Sequence, residues 1–539
     1  MTVDRGIVRQ PQVALADLRQ AVGLASLAYL SLPVAVFLVG WLRPGWAAVM
    51  TAALVAGVVV MARRFRAGAT TPREERLVSG AGVAMGALAV VVVVGLNGPG
   101  GFGVQTWDWA KHNAILKDLV EQPWPVAYAA GRDDVALTYY VAYYLPAALA
   151  GKLAGKLAGW QAANVALFAW TVSGCVLAML WLVVLSGAPV WRCLAIFVLF
   201  SGLDVVGAIA WSSRWSMRHW PNDFNLEWWA GHWTYPGNVT LIAFAPHQAT
   251  AGWLLTGLTI DGLRRYPARF PLVMAGSLGL LWSPFVTVGL MGFAALAWTS
   301  QLIHRETLSR MARDIANLAG ATIGLVLAFY LLSRYRPTGL PERYHTPPHL
   351  IVASSLALVP GQMPWRDFVA DYTVFVLLEF LVLAMLLAAI HRGCRADLRV
   401  LIAATIVLIV LPYLTYGRYN DLVMRASIPA LFVLQLFTAQ APGVLPRRPL
   451  LHGAMVAVLV VGAAYPLNML RLSAAAVVRR GALVRIPPRR QVADLFEQQL
   501  GLRDRYFFIG QYVGALDSPF FRYLARRPVA VPKGTPATR

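Results

Sequence analysis

The run GAGVAMGALAVVVVVGL at residues 80–96 decides the fold class of this chain. It carries no charge, and a helix needs roughly 20 such apolar residues to cross the hydrocarbon core of a membrane. The next residues, 97–101, read NGPGG and end the helix, because glycine and proline interrupt helical structure. We therefore expect a membrane-spanning helix that opens into a loop.

Similar apolar runs recur along the whole chain, and the composition agrees: of 539 residues, 58% are apolar and 13% are charged. This is the composition of a polytopic membrane protein. The candidate spans lie near residues 22–41, 46–62, 80–97, 138–159, 161–186, 193–211, 238–260, 271–283, 285–302, 315–333, 372–390, 399–415, 426–440 and 452–470. Several of these runs are short, and we expect an all-α transmembrane helix bundle of about thirteen spans. The bundle should occupy residues 1–470 and leave residues 471–539 as a small segment on the external side of the membrane.

The distribution of basic residues predicts the orientation of the bundle, since short loops rich in arginine and lysine stay on the cytoplasmic side. Basic clusters occur at residues 63–76, 264–269, 304–313 and 391–399. The loops expected to share the external side are then 98–137, 211–237, 334–371 and 416–424. The formal net charge of +22 comes from arginines scattered over the loops. This scatter favours anionic membrane lipid as a partner and argues against nucleic acid.

The first large external loop, 98–137, holds the strongest candidate for chemistry, the segment WDWAKH at residues 107–112. If residues 107–120 form a helix along the surface, Asp108 and Lys111 share one face and His112 lies on the opposite side. One interpretation is an active site in which a carboxylate and an ammonium group act together. The alternative is a solvated interfacial helix that its tryptophans anchor at the level of the lipid headgroups.

The order of elements around this segment resembles that of the C-type (GT-C) membrane glycosyltransferases. Members of that superfamily carry an acid in the first large external loop, a short phrase with proline and tryptophan after it, and an aromatic run that leads into the next span. Here Asp108 matches the acid, residues 121–125 read EQPWP, and residues 136–146 read ALTYYVAYYLP. The resemblance covers roughly residues 80–430.

The resemblance implies a GT-C-like fold and an enzyme that transfers a sugar from a polyprenyl-phosphate-linked donor to a lipid, glycan or protein acceptor of the cell envelope. It implies a place in the bacterial inner membrane, with the active site facing the periplasm or exterior, and a role for Asp108 as the base or as the group that orients the acceptor. Asp204 resembles a second acid of many relatives, with a helix cap as the alternative. Relatives often carry another acid directly after the first, where this chain has Trp109 and Ala110. That difference argues against a metal at Asp108 and leaves a need for Mg²⁺ or Mn²⁺ open.

The lipid phosphate of such a donor requires cationic partners. Arg425 is the leading candidate, because its planar guanidinium group matches phosphate oxygens. The alternative is a snorkelling anchor that pairs with Asp421 four residues earlier. Further candidates for binding the donor phosphate are Lys111, Arg336, Arg343 and His345.

Candidates for substrate binding come mainly from the tryptophan-rich stretch at 211–237 and from the residues that follow it. Indole faces can stack on sugar rings while carboxylates bind sugar hydroxyls, although an interfacial tryptophan belt would have the same composition. The candidates are His112, Glu227, Trp228, His247, Gln248, Asn420 and Asp421.

Two other functions stay open. Asp204 and Glu379 lie inside apolar runs, where carboxylates are costly and mark functional sites. The chain would then be a secondary transporter or lipid flippase in which these acids carry ions. A polymerase or ligase of lipid-linked glycans is chemically close to the transferase. The three cysteines, Cys175, Cys193 and Cys394, lack the spacing of metal ligands, so no metal site is predicted.

Overall fold

The structure, a computed structural model, describes residues 12–67, 76–130, 133–211, 226–267, 269–334, 353–358, 364–393, 395–417, 420–444, 448–489, 492 and 512–528. The described residues are 77% helical, which confirms the predicted all-α class. The helices are α1 (Leu15–Trp41), α2 (Pro44–Ala67), α3 (Gly80–Leu96), α4 (Trp109–Glu121), α5 (Leu145–Ser186), α6 (Val190–Leu199), α7 (Asp204–Ala210), α8 (Asn238–Phe244), α9 (Pro246–Arg265), α10 (Leu272–Leu280), α11 (Pro284–Ala297), α12 (Thr299–Leu302), α13 (Arg305–Arg313), α14 (Ile315–Leu332), α15 (Trp365–Val376), α16 (Val382–Ile390), α17 (Arg395–Val410), α18 (Asp421–Ala426), α19 (Ile428–Gln440), α20 (Pro449–Gly462) and α21 (Ala464–Arg480).

Short antiparallel strands join distant parts of the chain. They are β1 (Gln12–Ala14), β2 (Leu77–Ser79), β3 (Ala127–Ala130), β4 (Asp133–Leu137), β5 (Ala353–Leu358), β6 (Leu414–Gly417) and β7 (Val513–Ala515). β1 pairs with β2, β5 pairs with β6, and β4 lies between β3 and β7.

Within the described residues, eight helical segments are long and apolar enough to cross a membrane. They are Leu15–Trp41, Pro44–Arg66, Ala142–Ser186, Val190–Ala210, Ile315–Leu332, Trp365–Ile390, Asp421–Gly443 and Pro449–Arg480. Three shorter apolar helices are Gly80–Leu96, Pro284–Ala297 and Leu398–Tyr413. The prediction of a helix bundle with repeated membrane spans is confirmed to this extent.

Several predicted spans are interrupted helices. At the candidate run 138–159, α5 begins only at Leu145, and Gly155, with a φ of 76°, breaks it soon afterwards. The run at 238–260 divides into α8 and α9 at Ala245, just before Pro246. Within the run at 271–283, α10 has nine residues, about 13 Å at the rise of an α-helix, which is too short to cross the membrane.

Helices α9 and α19 form the centre of the bundle, since both are buried along almost their whole length. Gly257 of α9 lies directly under the indole ring of Trp181 on α5. Near the end of α9, Arg19 of α1 donates from Nε and Nη2 to the carboxylate of Asp261 at 2.8 and 2.7 Å. Arg265 pairs with the same carboxylate at 3.1 Å, so one buried acid ties α9 to α1.

The loops after α3, α14 and α17 meet at one end of the bundle, which we call the loop end. β4 of the first loop pairs with β7, Arg334 after α14 bridges to Gly514, and β5 pairs with β6. The predicted boundary at residue 470 falls inside α21. Val484 also pairs with Phe102, so the described C-terminal residues are joined to the first loop.

Candidate functional site

The helix that follows Asp108 is α4, and it is buried. Trp109 Nε1 donates to the carbonyl of Ala243 at the end of α8, at 2.8 Å. Toward the other end of α4, the Asp118 carboxylate accepts from the backbone N–H of Val492 at 3.0 Å. The prediction of a helix along the surface is wrong, because α8 and the C-terminal residues cover α4.

Asp108 and Lys111 form an ion pair at the start of α4. Asp108 directly precedes the first residue of the helix, and its carboxylate makes no capping bond to the helix backbone. It pairs instead with Lys111, whose Nζ lies 3.0 Å from Asp108 Oδ1. The prediction that their spacing presents the two side chains together is confirmed.

The surrounding charges keep this pair ionised. Burial by itself would raise the pKa of Asp108, but the positive charge of Lys111 and, more weakly, that of Arg425 outweigh it and hold the pKa below its ordinary value. Burial would lower the pKa of Lys111, but Asp108 overcomes this effect and the pKa is raised. The site therefore contains a carboxylate and an ammonium group at neutral pH.

His112 is oriented by partners on both ring nitrogens. Nε2 faces the carbonyl of Phe244 at 3.0 Å and therefore carries the proton, while Nδ1 accepts from the Tyr144 hydroxyl. Burial, with the charge of Lys111, lowers the pKa of His112 to about 3, so the ring is neutral. Both nitrogens are occupied, so His112 holds α4 against α8, and its contact with substrate stays a prediction.

His247 lies at the start of α9, just after the break at Ala245, and its ring centroid is 5.0 Å from that of His112. Gln248 Nε2 donates to His247 Nε2 at 3.0 Å, so the proton of the neutral ring is on Nδ1. This Nδ1 is buried and has no hydrogen-bond partner within the described ranges. Gln248 also accepts from the Ser283 hydroxyl at 3.3 Å, so it positions His247, which keeps one N–H group for a ligand.

Arg425 reaches the same site from α18. Its Nη2 lies 3.9 Å from Asp421 Oδ1, and its Nε is buried without a hydrogen-bond partner in the part of the chain that the structure describes. Gly417, with a φ of 85°, allows Asp421 to approach, because a Cβ there would overlap Asp421 Oδ2. The charge of Arg425 acts on Asp108 and lowers its pKa, so the structure brings together two candidates from separate loops.

Arg334 is a cation of this site that the sequence analysis missed. It directly follows Ser333 at the end of α14 and donates from Nη1 to the Tyr416 hydroxyl at 3.2 Å and from Nη2 to the Tyr140 hydroxyl at 3.1 Å. The signal that marks it is its position as the first charged residue after the apolar run of α14. The candidates chosen from that loop were Arg336, Arg343 and His345, which lie outside the described residues.

Tyrosines of the run at 136–146 line the site beside these cations. The rings of Tyr139 and Tyr140 stack at 4.5 Å, and Tyr512 from the C-terminal segment lies 5.0 Å from Tyr139. Burial raises the pKa of Tyr512 to about 12, so its phenol stays neutral. The lining therefore offers aromatic faces and hydroxyl groups next to the charges.

The side chain of Asn420 forms hydrogen bonds with the backbone of the turn between β6 and α18. Its φ of 53° is in the left-handed region, its Oδ1 accepts from the backbone N–H of Tyr416 at 3.3 Å, and its Nδ2 donates to the carbonyl of Leu414 at 3.1 Å. Both ends of the amide are engaged by backbone, so Asn420 stabilises the turn, and its contact with substrate stays a prediction.

Asp204 and Glu227 belong to a second cluster. The Ser201 hydroxyl lies 2.6 Å from Asp204 Oδ2 and 3.4 Å from Glu227 Oε1. Trp228 is next to Glu227 in the turn Leu226–Trp228, and no described contact joins any of these residues to Asp108. The two clusters contact opposite ends of helix α8: the backbone N–H just before it bonds to Glu227, whereas its last turn contacts α4.

Glu379 completes this second cluster. It lies in the π-helical turn Leu377–Leu381 between α15 and α16, and Trp229 Nε1 donates to its Oε1 at 2.8 Å. Its carboxyl group is within hydrogen-bonding range of Asp204. The structure thus unites two acids that the sequence analysis associated with ion transport, and adds Glu227 to them.

A metal ion does not fit at Asp108, because the charged group paired with its carboxylate is an ammonium 3.0 Å away. Across the described ranges, no group of three or more His, Cys, Asp or Glu residues is arranged to hold a metal. The site instead combines an ionised carboxylate with the cations of Lys111, Arg334 and Arg425. Such a set can accept a proton and stabilise an anionic oxygen group. Comparisons of the chain with protein-family models, with curated proteins and with solved structures find no match.

Proposed function

We propose that this chain is a C-type membrane glycosyltransferase, which transfers a sugar from a polyprenyl-phosphate-linked donor to a cell-envelope acceptor at the external face of the bacterial inner membrane. The observation that carries the proposal is the convergence of Asp108 and Arg425 on one site at the loop end. Transfer from a lipid phosphate needs both a proton acceptor and a cation for the leaving group. The pair supplies the two groups from different loops.

The chemistry assigns a role to each side chain. The acceptor hydroxyl oxygen forms a bond to the anomeric carbon of the donor while the bond from that carbon to the phosphate oxygen breaks. The hydroxyl proton passes to Asp108, which is ionised. The lipid phosphate leaves with the electron pair, and the charges of Arg425, Lys111 and Arg334 stabilise it. His247 Nδ1, a buried donor without a partner among the described residues, can bind a sugar hydroxyl.

The experiment that tests the proposal compares Asp108→Asn with the wild-type protein in lipid nanodiscs. Transfer is measured with a panel of polyprenyl-phosphate-linked hexoses and pentoses, and binding of a polyprenyl phosphate is measured by native mass spectrometry. The variant should lose transfer by a factor of about 100 or more, as expected for a lost general base, and still bind the lipid phosphate. Arg425→Gln should weaken that binding.

The matched control is Glu121→Gln, which removes a carboxylate from the other end of the same helix, where it pairs with Lys117 at 3.4 Å. It should keep both transfer and binding. Full transfer by Asp108→Asn, or unchanged lipid binding by Arg425→Gln, would contradict the proposal.

A proton-coupled transporter is the second candidate. The observation that favours it is the union of Asp204, Glu227 and Glu379 within the helix bundle. In this alternative Glu379→Gln abolishes transport across a sealed vesicle, whereas Asp108→Asn leaves transport intact. The two functions are therefore separated by which acid is essential.

A further inference from the structure

The second acidic cluster consists of Asp204, Glu227 and Glu379. These side chains are almost fully enclosed, since the residues are 1%, 1% and 5% exposed. None of the three forms an ion pair with an arginine, lysine or histidine of the described chain. An ionised carboxylate in such surroundings carries a large desolvation cost unless another group neutralises it.

In each of the three carboxyl groups, one oxygen accepts hydrogen bonds from neighbouring residues. Asp204 Oδ2 accepts from the Ser201 hydroxyl at 2.6 Å. Glu227 Oε1 accepts from the backbone N–H of Gly237 at 2.9 Å and is also bonded by the Thr240 hydroxyl. Glu379 Oε1 accepts from the indole N–H of Trp229 at 2.8 Å. The other three oxygens, one on each acid, accept no hydrogen bond from the described residues.

These remaining oxygens are Asp204 Oδ1, Glu227 Oε2 and Glu379 Oε2, and no N–H or O–H group of the described residues donates to them. The carboxyl groups of Asp204 and Glu379 nevertheless lie within hydrogen-bonding range of each other. Two ionised carboxylates offer only acceptors, so a contact of this kind requires a proton on one of them. The absence of a side chain at Gly202 leaves space for the Glu379 carboxyl group, because a Cβ at that position would overlap Glu379 Oε2.

We propose that Asp204, Glu227 and Glu379 form a proton-binding site that holds at least one shared proton at neutral pH. A proton fits the cluster better than a metal ion, since no described set of His, Cys, Asp or Glu residues is arranged as metal ligands. Close carboxyl groups in an apolar setting cannot all ionise, and one of them keeps its proton.

The elements packed around the cluster agree with this assignment. They are the junction of α6 and α7, the turn before Trp229, the start of α8, the π-helical turn and the junction of α20 and α21, where Gly462 contacts the backbone of Ser201. Among the described residues, the groups that act on the acids are hydroxyls, an indole and a backbone N–H, and the Tyr235 phenol interacts with Glu379. Burial, followed by the charge of Asp204, raises the pKa of Glu227, which lies outside the spans.

This inference is independent of the proposed glycosyltransferase activity, because the cluster contacts the start of α8, whereas the helix that follows Asp108 contacts its end. It is tested on the full-length wild-type protein in nanodiscs, with no substrate present. An apolar carbodiimide, which reacts with protonated carboxyl groups, is added between pH 6 and pH 9, and the modified residues are identified by peptide mass spectrometry. We expect modification of at least one of the three acids at pH 7, and a progressive loss as the pH rises.

The matched control is Glu306, whose side chain is 85% exposed. It should react with a water-soluble carbodiimide and not with the apolar reagent. In Asp204→Asn the amide can donate to Glu379, which then ionises more easily, so the pH of half-modification of Glu379 should fall by about one unit or more.

Infrared spectroscopy gives a second measurement that does not depend on access of a reagent. The wild-type spectrum at pH 7 should contain a protonated-carboxyl C=O band that Glu379→Gln or Asp204→Asn removes. The proposal is overturned if none of the acids is modified and neither variant removes such a band. It is also overturned if sodium ions at constant pH abolish the modification, since the cluster would then hold a cation.

Discussion

Lys111 Nζ lies 3.0 Å from Asp108 Oδ1, in a pair whose side chains are only 21% and 16% exposed. The two residues are three positions apart on α4, and the helix presents them to the same site as Arg425. The pair decides the protonation of the candidate base, because without a nearby cation the enclosure of Asp108 would favour its neutral form.

The first prediction concerns pH dependence. The pKa of Asp108 lies below its ordinary value of 3.8, so its ionised form, and the stability that the pair contributes, are present at neutral pH and lost as the pH falls through that lowered pKa. Lys111→Met should raise the pKa, because burial then dominates. The acid limb of a pH profile of sugar transfer should move to higher pH. Lys117→Met, which breaks the pair with Glu121 on the same helix, should leave the limb in place.

The second prediction concerns the turn at Asn420. Asn420→Gly keeps the left-handed backbone but loses the two amide bonds to the backbone, at about 2 kcal/mol in total. Asn420→Ala loses the same bonds but, unlike the glycine variant, keeps a Cβ in that region, which costs about 1 kcal/mol relative to glycine. Thermal unfolding in detergent should therefore rank wild type above Gly and Gly above Ala. An alanine variant as stable as the glycine variant would refute the role of the backbone conformation.

The third prediction concerns the buried carboxylate shared by Arg19 and Arg265. Asp261→Ala should destabilise the protein by about 3–5 kcal/mol, the usual cost of breaking a buried pair from one side. The double replacement of Arg19 and Asp261 by Leu should cost less than the sum of the single changes, since the two residues are coupled. Glu306→Ala, in an exposed pair with Arg310, is the control and should change the free energy of unfolding by less than about 1 kcal/mol.

The fourth prediction compares two helix glycines. A Cβ at Gly257 would lie 2.5 Å from Trp181 Cγ, whereas a Cβ at Gly292 would meet nothing within 4 Å. Gly257→Ala should destabilise the bundle by about 1–3 kcal/mol, because a buried indole cannot move aside. Gly292→Ala should stabilise it by about 0.5–1 kcal/mol through helix propensity. Equal unfolding temperatures for the two variants would show that α9 does not pack closely on Trp181.

Features that depend on neighbours in the chain were predictable from the sequence. The apolar run at 80–96 forms α3 as expected, and the spacing of Asp108 and Lys111 leads to their ion pair. Arg425 and Asp421 are neighbours at i,i+4, and their 3.9 Å separation agrees with the alternative in which they pair. In both pairs a single helix sets the distance between the two side chains, so the helical spacing in the sequence is enough to predict their contact.

The errors arose where distant segments cover or interrupt a helix. Residues 107–120 have the pattern of a surface helix, but Val492 and the end of α8 enclose α4. Nothing in the pattern of residues 107–120 marks the contacts that cover α4, because those partners come from distant parts of the chain.

The sequence alone therefore determined the all-α class, the repeated apolar helices and the carboxylate–ammonium pair, since these follow from composition and helical spacing. The tertiary structure decided which charges meet. Arg334 joins the candidate site through Tyr140 and Tyr416, and Trp229 reaches Glu379 from 150 positions away in the chain. Such contacts are set by the packing of whole helices and loops, which no single stretch of sequence specifies.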